Sequence, residues 1–233
     1  MKEKIYLIPG LMCDERLWSR LKPFLEDKYE LIHLPIPLSD NFDTASKELE
    51  GIIEDESINL LGFSLGAYLA SHFTVKNPTK VKRLFLVAGT PGAMNDDEIT
   101  KRKMAISQIQ KFGFKGLSKK MVLSLIDEKN HNDSELIDLI KDMFKNLGEQ
   151  TYKIQMKLTF NRVDISDDLK KLDIPIKFFY SVDDRLLNYE VLDSFKKEDK
   201  YIILHTKEGK SHMLPLEEPK YLANEILKSI DKD

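Results

Sequence analysis

A chain of 233 residues, 42% hydrophobic and 32% charged, has the make-up of one sizeable globular domain with room for an insertion, not of a disordered or disulfide-stapled polypeptide. Thirty-six Lys and Arg against 39 Asp and Glu leave a net charge of −3, so no general field draws the chain to a phosphate backbone, and nucleic acid is not expected as a partner. The single cysteine, Cys13, excludes an intrachain disulfide and a multi-cysteine zinc site and fits a reducing compartment.

The first residues, Met1–Lys4, are charged, and the apolar stretch Ile5–Met12 is broken by Pro9-Gly10 with no small-residue cleavage site after it. It reads as a strand rather than a leader. No apolar run approaches the ~18–20 residues that span a bilayer, so the expected location is cytoplasmic, away from membranes. Short, nearly continuous apolar runs then recur at Tyr29–Leu34, Ile58–Gly62, Val81–Val87, Ile176–Tyr180 and Tyr201–His205. With Ile5–Ile8 they make six strands buried on both faces, as in a parallel sheet. Helical spacing fills the intervals at Trp18–Leu25, Thr44–Ile53, Ala67–Val75, Tyr189–Phe195 and Pro219–Ile230, the last opening on a proline suited to a first helical turn. The fold class is therefore α/β: a mostly parallel six-stranded sheet flanked by helices.

One interval breaks the rhythm. From Met94 to Ile165 there is no convincing strand, only amphipathic helix rich in Lys, Met and Phe, between the hinges Thr90-Pro91-Gly92 and Asn161–Asp164. The expected organisation is a core domain of residues 1–92 and 166–233 with an inserted helical cap at 93–165.

Leu60-Leu61-Gly62-Phe63-Ser64-Leu65-Gly66-Ala67 carries a G-x-S-x-G pattern between an apolar strand and a small-residue helix start. With Gly and Ser each near ~7% of residues, the bare pattern arises in roughly one chain in ten of this length. The strand-turn-helix setting is what gives it meaning, because a sharp turn pushes the serine Oγ into the open above a helix N-terminus. An alcohol is a poor nucleophile at neutral pH and needs a base and a group to orient that base. Of the five histidines, His33 and His205 fall in strands, His72 in the helix after Ser64 and His131 in the insertion; His212 alone sits in a loop after the last strand. A carboxylate is wanted at the carboxyl end of a preceding strand, since parallel strands share that edge. Asp183 and Asp184 follow Phe178-Phe179-Tyr180. Asp184, four positions into the turn and preceding Leu186-Leu187, is the expected partner, and Asp183 the solvated or loop-bonding neighbour. Two N–H donors for an oxyanion are expected at Leu65, after the serine, and at Leu11, in the Pro9-Gly10-Leu11-Met12 turn after the first strand.

With these residues in place the chain resembles the α/β-hydrolase fold superfamily over essentially its whole length. The resemblance rests on Gly62-Phe63-Ser64-Leu65-Gly66, on Asp184 with Pro175 upstream, on His212 followed by Glu217 and Pro219, and on Pro9-Gly10-Leu11 with Trp18 downstream. It implies a nucleophile at Ser64, a general base and acid at His212, an orienting Asp184, and oxyanion donors at Leu11 and Leu65. The closest flavour is the small cytoplasmic bacterial esterases and hydrolases, which include pimeloyl-carrier-protein methyl esterases and C–C bond hydrolases. Pro9 stands where many members have His, Ser181 where a Gly is common, and Ser211 where a Gly usually precedes the histidine. The first strand here corresponds to the family's third.

Substrate contacts are expected from the insertion and the first loop. Met12, Phe112, Phe144 and Phe160 are the candidates, and Met104, Phe114, Met121 and Met156 could also wall an acyl pocket. Lys111, Lys115, Lys119 and Lys120 form a basic run suited to an acidic acyl carrier protein or simply to solvent, and Arg162 could meet a substrate carboxylate or a structural ion pair. The expected activity is a serine carboxylesterase acting on a small-molecule ester, as monomer or homodimer. C–C, thioester or lactone hydrolysis by the same residues and a non-catalytic binding protein are the alternatives. No metal and no cofactor are expected, since no H-E-x-x-H, C-x-x-C or G-x-G-x-x-G turn occurs.

Overall fold

The computed structural model of the protein describes residues 2–196 and 201–232; the expected core limits at 1 and 233 lie outside them. Six strands run at β1 (Glu3–Ile8), β2 (Tyr29–His33), β3 (Ile58–Phe63), β4 (Val81–Val87), β5 (Ile176–Ser181) and β6 (Ile202–Lys207). They pair in parallel in the order β2-β1-β3-β4-β5-β6. Every residue of β3 and β5 is buried, which is why these strands read as nearly continuous apolar runs, broken only by Asn59, Lys177 and Ser181. The order reverses direction at β1, so β1 and β3 diverge into their loops at a topological switch point, where α/β sheets open a crevice.

Residues alternate between two cores. Tyr6, Ile8, Leu60, Leu84, Leu86 and Phe178 face one side, and Ile5, Leu7, Leu61, Phe85, Val87 and Phe179 the other. The first core is covered by α1 (Phe42–Ile52), α2 (Leu65–Lys76), α6 (Ser166–Lys170) and α7 (Tyr189–Asp193). The second is covered by α9 (Pro219–Lys232) and by helices of the β4–β5 interval. That interval holds α3 (Asp96–Phe112), α4 (Lys119–Leu123) and α5 (Ser134–Thr159), and a short α8 (Leu214–Glu217) precedes α9. α5 is bent at Gly148, where φ is 76°. Among the described residues no helix is long and apolar enough to cross a membrane.

One expected helix is absent. Trp18–Leu25 forms not an α-helix but two 3-10 turns, Glu15–Trp18 and Lys22–Phe24. Pro23 has no N–H to give the carbonyl four residues back, and its ring would collide with that carbonyl. The apolar spacing still serves burial, since Leu17, Trp18, Leu21 and Leu25 enter the second core.

The sheet meets α2 at unusually short range. A Cβ on Gly66 would stand 2.2 Å from the Pro9 carbonyl oxygen and 2.4 Å from that of Ile8; one on Gly62 would stand 2.3 Å from the carbonyl oxygen of Gly66. These contacts are with backbone, which cannot swing aside. Gly66→Ala is therefore expected to cost about 3 kcal/mol, roughly 6–12 °C in Tm for a chain of this size. Gly51→Ala, in α1 with nothing within 4 Å, should melt at or above the parent temperature. Thermal melts of the two variants check the pair.

Desolvation holds the imidazole pKa of His33, His72 and His205 below the ordinary value. For His72, burial outweighs the pull of exposed Asp43, 3.5 Å from Nε2. The unfolded chain, titrating near ~6.5, takes up these protons before the folded one does. Stability is thus complete above that pH and is lost as pH falls from ~6.5 through the lower folded values. The urea midpoint at pH 5.5 should lie below that at pH 7.5, and His72→Gln should narrow the gap.

Candidate active site

All six strands end at one edge, and the chemistry-bearing residues follow them there. Ser64 comes directly after β3 at φ 52° and ψ −114°, a conformation that costs a non-glycine residue about 1–3 kcal/mol. Its backbone is over-determined: its N–H donates to the Val87 carbonyl at 2.9 Å, and its carbonyl accepts from Ala67 at 3.0 Å. The helix behind it, buried from Leu65 to Thr74, cannot shift to relieve the strain.

His212 Nε2 lies 3.0 Å from Ser64 Oγ, and His212 Nδ1 lies 2.7 Å from Asp184 Oδ2. Asp184 is fully buried and His212 nearly so. The other carboxylate oxygen of Asp184 accepts the Leu186 amide at 3.0 Å, and the Tyr189 hydroxyl donates to the Asp184 carbonyl at 3.1 Å. Asp183 is exposed. The two carboxylates thus divide between an inward and an outward position.

The histidine loop is clamped from both sides. The His212 amide donates to the Leu125 carbonyl at 2.9 Å, and Ser181 Oγ donates to the Ser211 carbonyl at 2.7 Å. Ser211 Oγ bonds Glu217, whose other oxygen accepts the Asp127 amide and the Asn130 side chain, both at 2.8 Å. Glu217 is thus a structural clamp on the residue before His212. The remaining histidines are engaged elsewhere: His33 with Trp18, His72 with Ser46, His131 with the Leu123 carbonyl and His205 with Glu225.

The loop after β1 passes so close that a Cβ on Gly10 would sit 3.1 Å from Ser64 Cβ. Among the described residues nothing accepts from the Leu11 or Leu65 amide. Met12, at φ 56°, is held by Gln155 of α5, whose Oε1 accepts its amide at 2.8 Å. Gln155 is buried and spans 143 positions to reach this loop. In sequence it is one polar residue among many on an amphipathic helix, and nothing there distinguishes it.

Ser64 borders two adjoining cavities. One, of about 280 Å³, is mostly apolar and includes Met12, Phe144, Tyr152, Met156 and Met213 in its wall; the other, of about 200 Å³, is polar. Leu11, Ser64, Lys101, Arg102, Leu186 and His212 border both. Desolvation by these apolar walls pushes the thiol of Cys13, which borders the first cavity, up to about 12, so it stays protonated.

Of the expected pocket residues, Met12 and Phe144 line the apolar cavity, with Met121 and Met156. Phe112 and Phe160 do not. Phe112 ends α3 and is 68% exposed, and Phe160 caps the C-terminus of α5 away from both cavities. Both stand at helix ends, where the inward face of the helix has already turned away. Met104 is likewise exposed. Phe114 stacks on Phe144 at 5.3 Å, behind the wall. Lys111, Lys115, Lys119 and Lys120 are all exposed. Arg162 forms no ion pair with a carboxylate of the described residues, and it borders the polar cavity. It donates to the carbonyls of Gly92, at 2.5 and 3.1 Å, and Thr90, at 3.2 Å, and lies over the Tyr68 ring, tying together the two ends of the β4–β5 interval. Among the described residues no group of three or more His, Cys, Asp or Glu is placed to hold a metal ion.

Six parallel strands between two helical layers, with Ser64, Asp184 and His212 on loops at their carboxyl edge, make this an α/β-hydrolase-fold protein. Residues 44–184 match the Ndr family, and the chain belongs to it. It is 20% identical over 244 residues to the uncharacterized hydrolase YugF of Bacillus subtilis (strain 168), with 97% of this chain and 89% of that protein covered. The enol-lactonase of Burkholderia xenovorans LB400 superposes with a TM-score of 0.85 at 12% identity, covering 99% of this chain and 92% of the other. A thermophilic esterase of Thermogutta terrifontis superposes at 0.82 and 19%, covering 100% and 90%. At these identities the structural likeness is one of fold.

Proposed function

We propose that the chain is a serine hydrolase that cleaves a carboxylic ester through an acyl-enzyme intermediate. The observation that carries this reading is the continuous hydrogen-bonded line from Ser64 Oγ through His212 to buried Asp184, at 3.0 and 2.7 Å. The names of the relatives, a hydrolase, an esterase and an enol-lactonase, agree with it.

In this reading Ser64 Oγ attacks the ester carbonyl as His212 Nε2 takes its proton. Asp184 holds the ring so that Nε2 is the free acceptor, and it stabilises the imidazolium that forms. The carbonyl oxygen, now an anion, turns toward the Leu11 and Leu65 amides. Two donors already aimed at the developing charge lower the barrier without rearrangement. His212 then protonates the leaving alcohol, and a water activated by the same ring releases the acid. The helical segment 93–165 acts as the cap, supplying most of the apolar wall in which the substrate's hydrocarbon is desolvated.

Ser64→Ala should abolish hydrolysis of short p-nitrophenyl esters with the melting curve intact, a loss of ~10⁴–10⁶ in rate. Asp184→Asn should lose ~10⁴ through the wrong ring tautomer. Retained turnover in Ser64→Ala overturns the reading.

Gln155 is a positioning residue in the same scheme, since it fixes the amide next to Leu11. Gln155→Met fills its volume but leaves the Met12 N–H unpaired. A fall of ~10-fold in kcat with a smaller change in KM is expected; equal changes in both, or a change in neither, argue against it.

A further inference from the structure

Arg102, on α3, stands in the wall that both cavities share with Ser64 and His212. It is partly buried, and its single hydrogen bond among the described residues runs from Nη1 to the thioether sulfur of Met156 at 3.4 Å. A guanidinium carries five N–H donors, and a thioether is a weak acceptor. No carboxylate of the described residues lies within 4 Å of it. Glu98, one turn earlier on α3, instead closes the capping box with the Asn95 amide at 3.2 Å. Tyr152, 7% exposed, borders the apolar cavity as well. Its ring is fixed against Phe114 and Phe144 at 5.9 and 5.4 Å, and its hydroxyl has no hydrogen-bond partner among the described residues. Burial raises the Tyr152 phenol above its ordinary pKa, and the nearby Arg102 charge opposes that rise.

A permanent cation and a phenol are therefore held side by side in a largely apolar wall, with most of their donors uncommitted. Glu98 attracts this cation from a distance without bonding it, and desolvating a charge without a hydrogen-bonded opposite partner is costly, a cost that a ligand completing the pairing would offset. Arg162 borders only the polar cavity, and its Nε and Nη2 donors are committed to the Gly92 and Thr90 carbonyls.

We propose that Arg102 and Tyr152 form an anion subsite that takes a carboxylate carried by the ester substrate. Arg102 offers two parallel N–H donors and Tyr152 one O–H, the complement of a carboxylate's lone pairs. The substrate class is then a carboxylate-bearing ester. The charge lies either on the acyl side, as in a half-ester of a dicarboxylic acid, or on the alcohol side, as in an O-acylated hydroxy acid. The inference deepens the serine hydrolase reading and rests on it.

The test compares kcat/KM within two pairs of esters: monomethyl adipate against methyl hexanoate for the acyl side, and 4-acetoxybutanoate against butyl acetate for the alcohol side. The wild-type protein should favour the charged member of one pair by ~10-fold or more. That ratio should collapse toward unity in Arg102→Met, fall less in Tyr152→Phe, and be partly restored in Arg102→Lys, with the change carried by KM. A wild-type ratio at or below one in both pairs overturns the proposal, as does a ratio that Arg102→Met leaves unchanged. Calorimetric titration with adipate and 4-hydroxybutanoate separates this failure from failure of the hydrolytic reading. If no ester is turned over, saturable binding of either anion that Arg102→Met abolishes still supports the subsite, and absence of binding overturns it.

Discussion

A serine held at φ 52° is the constraint around which this molecule is arranged. The strain is sustained because α2 is packed on every side and because two glycines let backbone meet backbone between β1, β3 and that helix. Neither β3 nor α2 can drift, so the serine Oγ is delivered to one point above the sheet. Everything else at the edge is placed relative to that point. Met12 and Ala88, in the loops after β1 and β4, also carry positive φ, at 56° and 47°, so unfavourable backbone is concentrated on this rim and is held there by the two cores beneath.

The segment between β4 and β5 contributes more than cover. Its residues reach into the loops after β1, β4 and β6. Gln155 holds the amide of Met12, Leu125 accepts the amide of His212, Asp127 and Asn130 hold Glu217, and Arg162 closes the base of the segment on Gly92 and Thr90. The sheet sets where the strands end, and the helical segment sets how the loops lie once they leave it.

What could be read from the amino-acid order follows from where the free energy lies. The parallel strands are buried on both faces and therefore wrote themselves as apolar runs, and the turn at Ser64 is demanding enough to dictate its glycines. Asp184 and His212 were legible because parallel strands leave few loops in which they could stand. The residues that carry no signal in the sequence lie on helices exposed on one side. Arg102 sits between Lys101 and Lys103, and only the rotation of α3 separates it from them. Phe112 and Phe160 looked like pocket residues because they are large and apolar, but helix ends do not face where helix middles face. The Trp18–Leu25 stretch had a helix's apolar spacing while Pro23 forbade the helix's hydrogen bonds.

The bend at Gly148 gives α5 two independent halves. The first half, with Leu136, Ile137, Ile140 and Met143, is locked into the second core and lends Ile140 and Phe144 to the apolar cavity; the second half brings Tyr152 and Met156 to the cavity and Gln155 to the Met12 amide. A residue gained or lost at the bend would turn everything beyond it by about 100° while the first half stayed put. Such a hinge lets descendants of this chain exchange one set of cavity-facing side chains for another in a single step, without renegotiating the core.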